Sequence, residues 1–313
     1  MRVLITGVAG FTGRYVATEL IAAGHRVMGL THSHSVPPPP GVELHRVDLL
    51  DRAGLRSVIS LCDMDAVLHL AAISFVGHGA ADELYRTNVV GTRNLLEALD
   101  AECAPRIVVL ASSANIYGNA TVEPIHEDVP PAPANDYAVS KLAMEHMSAL
   151  WADRLPIAIT RPFNYTGVGQ DVRFLIPKIV EHFRRGEREI ELGNIGIWRD
   201  FGDVRAVARQ YRRLVEVAPA GVRLNLCSGV GHSLAQLLDI MATIAGYRID
   251  VRVNPAYERP NEVIRLVGCR QRLIDTLGEE PVIPLSETLE WMYSTRSLST
   301  VSELGSPALD RQG

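Results

Sequence analysis

Lysine is nearly missing from this chain: Lys141 and Lys178 stand against 29 arginines, so a lysine appears only where arginine would have been the default. Cysteine is scarce as well. Cys62, Cys103, Cys227 and Cys269 are scattered, with no Cys-x-x-Cys pair and no His/Cys cluster at zinc spacing. That argues against a structural metal and for a reducing compartment. Positive charge is not in excess: a net charge of −5 over 313 residues gives no basic footprint for nucleic acid and no polybasic membrane patch. Long apolar runs are absent too. The run Val3-Leu4-Ile5 after Met1 is too short for a signal peptide or a membrane span, so a cytoplasmic protein is expected. What remains is ordinary for a soluble globular protein, and the chain is long enough to bury a sizeable core.

The first half alternates short β-rich runs with helical patterns, which signals βαβ units and a parallel sheet. Strands are expected at 3–6, 27–31, 44–47, 66–70, 107–111 and 157–160, several apolar throughout as in sheets covered on both faces. Helices are expected at 14–23, 55–60, 89–102 and 137–152. Pro37-Pro38-Pro39-Pro40 cannot be helical in its interior, so the second and third strands are joined by an extended loop without a normal helix. From about Tyr165 the pattern loosens into short helices, a strand at 189–192 and another at 223–227. The expected fold is α/β: a doubly wound parallel sheet with a smaller, mixed α/β substrate-binding lobe. Residues 1–164 with about 202–228 would form the dinucleotide-binding domain, and about 165–201 with 229–292 the lobe. The Ser-rich, aperiodic 293–313 reads as a flexible tail.

Between the first strand and the first helix lies Thr6-Gly7-Val8-Ala9-Gly10-Phe11-Thr12-Gly13. Glycines there let the backbone turn sharply and approach a pyrophosphate, whose charge then faces the helix N-terminus. Gly7, Gly10, Phe11, Thr12 and Gly13 are therefore candidate cofactor ligands. The end of the second strand separates NAD from NADP, because an acidic residue there binds the ribose 2′-hydroxyl and repels a 2′-phosphate. The chain reads Thr31-His32-Ser33-His34, with no carboxylate, and Arg14 is a cation expected nearby. These neutral side chains permit the phosphate without demanding it, so NADP(H) is favoured over NAD(H), with Thr31 and His32 as its contacts.

Asn135-Asp136-Tyr137-Ala138-Val139-Ser140-Lys141 opens a helix, and spacing of four puts the phenol and the ammonium on one face. A nearby cation favours phenolate, which lowers a tyrosine pKa toward the working range for proton transfer. Val109-Leu110-Ala111-Ser112-Ser113 ends an apolar strand at the carboxyl edge, where doubly wound sheets place their chemistry. A serine hydroxyl there can polarise a substrate carbonyl; for Ser112 simple turn capping is the better reading.

These motifs, with His69-Leu70-Ala71-Ala72, Asn88-Val89-Val90-Gly91-Thr92 and Ser113-x-x-x-Tyr117-Gly118, resemble the extended short-chain dehydrogenase/reductase superfamily in order and spacing, from Met1 to about Trp291. The resemblance implies a Rossmann-type sheet and a catalytic set of Ser113, Tyr137 and Lys141. Tyr137 would be the proton donor and Lys141 would hold the nicotinamide ribose. It further implies that Asp48 and Leu49 flank the adenine, that Leu70, Ala71 and Ala72 run along the cofactor, and that Pro162 and Phe163 belong to its site. Asn88 is expected to help position the Tyr137 helix through its backbone or a water.

Ser74-Phe75-Val76-Gly77, Arg161-Pro162-Phe163-Asn164, Arg199-Asp200-Phe201 and Arg259-Pro260-Asn261-Glu262 are similar to the GDP-mannose branch, nearest to its 4-keto-6-deoxy-mannose reductases. This implies a nucleotide-sugar substrate, with Ser74, Phe75, Ser113, Asn164, Arg199, Arg259 and Glu262 as candidate substrate residues. Arg199 and Arg259 could grip a diphosphate, since guanidinium forks suit phosphate oxygens, although a surface salt bridge explains either one equally well. Related 4,6-dehydratases carry a carboxylate in the run that here reads Ser113-Ala114-Asn115, and neither a methyl nor a neutral amide can abstract a sugar proton. An NAD-dependent 4-epimerase and a non-catalytic NADP(H) or sugar-nucleotide binding protein stay open as alternatives. A homodimer through the helices at 89–102 and 137–152 is expected, as in relatives, although Leu142 and Met147 are equally explained as core.

Overall fold

The computed structural model describes residues 1–32, 37–74, 81–255 and 263–295. Its first half is a run of parallel strands with helical returns. Strand β1 (Arg2–Thr6) leads through α1 (Phe11–Ala22) to β2 (Arg26–Thr31) and β3 (Val42–Arg46). Helix α2 (Arg52–Leu61) leads to β4 (Ala66–His69). From there α3 (Ala81–Tyr85), a π-helical turn (Arg86–Gly91) and α4 (Thr92–Glu102) reach β5 (Ile107–Ala111), and α5 (Asp136–Ser148) reaches β6 (Ile157–Pro162). The second half holds β7 (Asn164–Thr166), α6 (Leu175–Arg184), β8 (Glu189–Leu192), β9 (Trp198–Asp203), α7 (Val204–Val217) and β10 (Arg223–Leu226). It continues through β11 (Gly231–Ser233), α8 (Leu234–Ala245), β12 (Asp250–Val253), β13 (Arg265–Leu266), α9 (Gln271–Leu277) and α10 (Leu285–Ser294).

Seven strands form one parallel sheet in the order β10-β6-β5-β4-β1-β2-β3, so the strand order reverses between β1 and β4. In such sheets the ligand crevice opens at that reversal, beyond the carboxyl ends of the strands. The apolar runs are explained by cover on both faces. Val3, Ile5, Leu68 and Val109 point into one core with α1 and α7. Their neighbours Leu4, Val67, Val108 and Leu110 point into the other, against α2, α4 and α5. Successive strand residues face opposite sides, so a strand buried on both sides must be apolar at every position. No helix lies between β2 and β3 among the described residues, and Pro37 to Pro39 are non-helical there.

Outside this sheet, β11 and β13 flank β9, which also pairs with β7, and β12 pairs with β8. Five of these six strands, β8 being the exception, were not foreseen as separate strands. Of these, β7, β11 and β13 have only two or three residues, too few for a period-2 pattern to stand out. The helix expected at 89–102 starts as the π-helical turn and becomes α-helical only at Thr92; the one expected at 137–152 ends as α-helix at Ser148 and tightens into a 3₁₀ turn over Ala149–Trp151. A third core, with Phe183, Leu237 and Leu289, holds the lobe together. No helix among the described residues is long and apolar enough to cross a membrane.

Candidate active site

At the reversal of strand order, the glycine loop is pinned by close backbone approaches. Gly7 has φ +71°, and a Cβ there would stand 2.9 Å from the Ala71 backbone. A Cβ on Gly13 would meet the Gly7 carbonyl oxygen at 2.3 Å. Gly10 caps α1 without a side-chain acceptor, which leaves the first-turn amides to an outside ligand. The loop therefore fits a dinucleotide pyrophosphate. Leu70, Ala71 and Ala72 run beside it, with the Ala71 amide donating to Thr6 Oγ1 at 3.1 Å. Phe11 stacks on Tyr165 with ring centroids 6.2 Å apart, and Thr12 Oγ1 shares a hydrogen bond of 2.7 Å with the Tyr165 hydroxyl.

Further along the crevice, Thr31 is buried and His32 exposed, and neither is an acid. Arg14 reaches across to donate to the Pro37 carbonyl at 2.8 Å. Asp48 is exposed and accepts the Leu50 amide at 2.9 Å. Leu49 is buried, and its carbonyl accepts from Asn94 Nδ2 at 2.9 Å.

Beneath the crevice runs a buried chain of hydrogen bonds that sequence reasoning missed. Thr6 Oγ1 lies 2.7 Å from His69 Nδ1, His69 Nε2 lies 2.8 Å from Thr92 Oγ1, and Thr92 donates to the Asn88 carbonyl at 2.8 Å. The Thr92 hydroxyl spends its proton on that carbonyl, so it must accept from His69 Nε2–H, which leaves Nδ1 to accept from Thr6. A neutral imidazole satisfies every member. Burial, aided by the nearby Lys141 charge, accordingly pushes the His69 pKa down to about 3. Its motif was visible in the sequence, but not this role.

Ser113, Tyr137 and Lys141 meet at the carboxyl end of β5. Asn135 caps α5 by accepting the Ala138 amide at 2.9 Å, which sets the start of the helix one turn before Lys141. Lys141 is buried and donates to the Ala111 carbonyl at 2.8 Å; burial lowers its pKa to about 8, against the opposing charge of Glu145. Burial pushes the Tyr137 phenol up to about 12, while a hydrogen bond from Ser113 pulls it down. The expected lowering of the phenol pKa is thus reversed in this structure, because desolvation outweighs the neighbouring groups. A protonated phenol is what proton donation needs.

Ser113, not Ser112, does the capping: its Oγ accepts the Asn115 amide at 3.2 Å, whereas the buried Ser112 Oγ has no hydrogen-bond partner. Asn88 holds α5 directly rather than through its backbone or a water. Its Nδ2 donates to Ser140 Oγ at 3.1 Å and to the Ile73 carbonyl at 3.2 Å, and its Oδ1 accepts the Ile73 amide at 3.0 Å. The π-helical turn that carries Asn88 permits this reach, a common setting for such turns.

The candidate substrate residues are more dispersed. Ser74 is exposed at the end of the Leu70–Ala72 segment; Phe75, Arg259 and Glu262 lie outside the described residues. Pro162 ends β6 and Phe163 is buried, its amide bonded to the Leu226 carbonyl at 2.8 Å. Asn164 starts β7 with a buried Nδ2 that has no hydrogen-bond partner. Arg199 lies on β9 and donates to the Trp198 and Ile264 carbonyls at 2.9 and 3.2 Å. Next to it, the buried Asp200 accepts from the Ser228 amide and hydroxyl and from the Gly229 amide at 2.6 to 2.9 Å, tying β9 to the loop after β10.

Residues 3–227 match the model of the NAD dependent epimerase/dehydratase family. The chain belongs to that family. As a family member it is an NAD(P)-dependent oxidoreductase with the Rossmann fold of the extended short-chain dehydrogenases. It is 34% identical to the GDP-6-deoxy-D-mannose reductase of Pseudomonas aeruginosa over 94% of this chain and 96% of that one. It is 30% identical to the GDP-6-deoxy-D-talose 4-dehydrogenase of Aggregatibacter actinomycetemcomitans over 95% and 99%. Among solved structures, a candidate epimerase from Burkholderia cenocepacia J2315 superposes with a TM-score of 0.88 at 50% identity, covering 93% of this chain and 96% of that one. RMD from Pseudomonas aeruginosa complexed with NADPH superposes at 0.82 with 32% identity, over 94% and 97%.

In this epimerase/dehydratase-family chain the site rests on an ionic layer. Arg161 is buried and donates to both Glu145 carboxylate oxygens at 3.0 and 2.7 Å, to Tyr117 Oη at 2.9 Å and to the Glu127 carbonyl at 2.9 Å. Tyr117 donates onward to Asn225 Oδ1 at 2.8 Å, which links β6, α5 and β10 under the cleft.

Proposed function

We propose that this protein reduces the C4 keto group of a GDP-4-keto-6-deoxyhexose with NADPH, giving GDP-D-rhamnose or GDP-6-deoxy-D-talose. The observation that carries the reading is the convergence of Ser113, Tyr137 and Lys141 at the carboxyl end of β5, with Ser113 hydrogen-bonded to the Tyr137 phenol and Lys141 bonded to the Ala111 carbonyl. Two curated relatives named for GDP-deoxysugars, matched along nearly the whole chain, supply the substrate class. NADP(H) is favoured over NAD(H) because the sequence at the end of β2, Thr31-His32-Ser33-His34, carries no carboxylate and Arg14 donates to the Pro37 carbonyl farther along that connection.

When bound, the dihydronicotinamide supplies the hydride. Tyr137 gives its proton to the oxygen at C4, and Ser113 orients the carbonyl and supports the phenolate that results. Lys141 anchors the ribose and steadies that phenolate. The glycine loop, Leu70–Ala72 and Asp48–Leu49 hold the dinucleotide, while Asn164, Arg199 and Arg259 hold the sugar diphosphate. The run Ser113-Ala114-Asn115 puts no carboxylate beside the serine, which disfavours dehydration.

A second reading, an NAD-dependent nucleotide-sugar 4-epimerase, is favoured by the likeness to the Burkholderia structure. The deciding experiment follows NADPH absorbance with purified protein and GDP-4-keto-6-deoxymannose, beside NADH and the UDP- and dTDP-linked keto sugars. Oxidation with the GDP sugar is expected, and product NMR then assigns C4. Without oxidation of any keto sugar, epimerisation of UDP-sugars becomes the test. A homodimer through α4 and α5 belongs to the same reading, supported by exposed Val139 on α5 and Leu150 just beyond it, and light scattering measures it.

A further inference from the structure

We infer that Asn115 fixes the direction in which the Ser113 hydroxyl points its proton, and is thereby a positioning residue for proton transfer by Tyr137; the inference rests on the reductase reading above. Ser113 Oγ accepts the Asn115 backbone amide at 3.2 Å and the Asn115 side-chain Nδ2 at 3.2 Å. A hydroxyl has two acceptor positions and one donor. With both acceptor positions filled from Asn115, what Ser113 has left is its proton. Ser113 is buried, with 5% of its surface exposed, so water is a poor competitor for these positions. The proton is left to the Tyr137 oxygen or to a substrate oxygen beside it.

The direction matters for the chemistry. A Ser113 that accepted from Tyr137 would hold the very proton the phenol must release. A Ser113 that can only donate leaves the phenolic proton free for the substrate. As the Tyr137 O–H bond breaks and the substrate O–H bond forms, the electron pair left on the phenol oxygen becomes the acceptor for Ser113. The backbone amide alone would fill one acceptor position; the side-chain amide fills the second. Asn115 itself need not touch the substrate to do this.

The test compares wild type with N115A, N115L and N115D, measuring kcat and KM for the reduced keto sugar, the NADPH dissociation constant and the thermal midpoint. Aspartate has nearly the size of asparagine but offers acceptors only, so the Ser113 proton turns to its carboxylate. In N115D we expect kcat to fall about 100-fold, the scale of losing one oriented donor. N115A and N115L lose the donor without adding a competing acceptor, and kcat should fall about fivefold. NADPH affinity should stay within about twofold throughout. A packing role predicts the opposite order, since the isosteric aspartate would then be mildest. N115D retaining as much kcat as N115A, or N115L matching wild type, overturns the inference while wild-type turnover keeps the reductase reading. A wild type that reduces no keto sugar removes that reading, and the inference with it.

Discussion

Lys141 and Arg161 are equally buried cations in neighbouring layers, and the structure treats them in opposite ways. Arg161 meets a bidentate carboxylate, a phenol and a carbonyl, and its pKa is held well above the usual arginine value. Lys141 bonds a neutral carbonyl, and burial takes its pKa down to about 8. Burial therefore does not decide the outcome; the partners do. A buried charge with its partners in place is scaffolding, and one left under-compensated at a cleft is kept for chemistry. Glu145 sits between them, donating its geometry to the arginine and only its field to the lysine.

The largest effect should fall on the cleft side. Tyr137→Phe is expected to lower kcat by about 1,000-fold or more, the upper scale of general acid catalysis, with NADPH affinity nearly unchanged. Unchanged turnover would take Tyr137 out of the mechanism. Lys141→Met should cost activity but leave the denaturation midpoint equal or higher, since it removes an under-compensated buried charge. Arg161→Met should do the reverse to stability. It strands Glu145 in the interior and should cost about 3–5 kcal/mol in denaturant unfolding, much of which Glu145→Leu added to it would restore. Equal losses of stability in the lysine and arginine variants would end the comparison.

A smaller, pH-dependent effect sharpens it. The His69 pKa is depressed from 6.5 to about 3 in the folded state, so between those values the unfolded chain binds the extra proton and stability falls as pH falls. The slope from this group approaches about 1.4 kcal/mol per pH unit, and His69→Gln should flatten it in unfolding curves between pH 6 and about 4. Lys141 gives the same sign at high pH: stability should rise as pH climbs from about 8 toward the ordinary lysine value. The smallest effect is expected at Thr12 and Tyr165, whose hydroxyls share one bond. A cycle of Thr12→Val and Tyr165→Phe should give a coupling of about 1 kcal/mol in NADPH binding, and strict additivity would deny the link.

How much of this could be read beforehand depended on what each feature leaves in the sequence. The large sheet was legible because Val3-Leu4-Ile5 and 107–110 are covered on both faces and must be apolar at every step. Strands such as β11 and β13 owe their existence to pairing with β9, a tertiary fact that three or two residues cannot announce. The π-helical turn at Arg86–Gly91 looks like ordinary helix in sequence, because one extra residue in a turn leaves no periodic mark. In the site, spacing placed Gly7, Gly10, Gly13, Tyr137 and Lys141 in their local elements. It could not weigh desolvation, so the direction of the Tyr137 pKa came out opposite to expectation. Nor could it show that Ser113 caps the turn, that Ser112 does not, or that Asn88 reaches Ser140 with its side chain, since each depends on which way a short side chain points.

The strand order also bears on synthesis. Strand β10 fills the place beside β6, yet β7, α6, β8, β9 and α7 come between them in the chain. While the polypeptide leaves the ribosome, β6 is therefore an open edge, its amides and carbonyls unpaired on one side and Ala158 without the α7 and β10 side chains it packs among. Such an edge is a template for pairing with another chain. The nascent protein is most exposed to aggregation after Pro162 has emerged and before Leu226 has. A chaperone, or slow arrival of neighbouring ribosomes, would matter most in that interval.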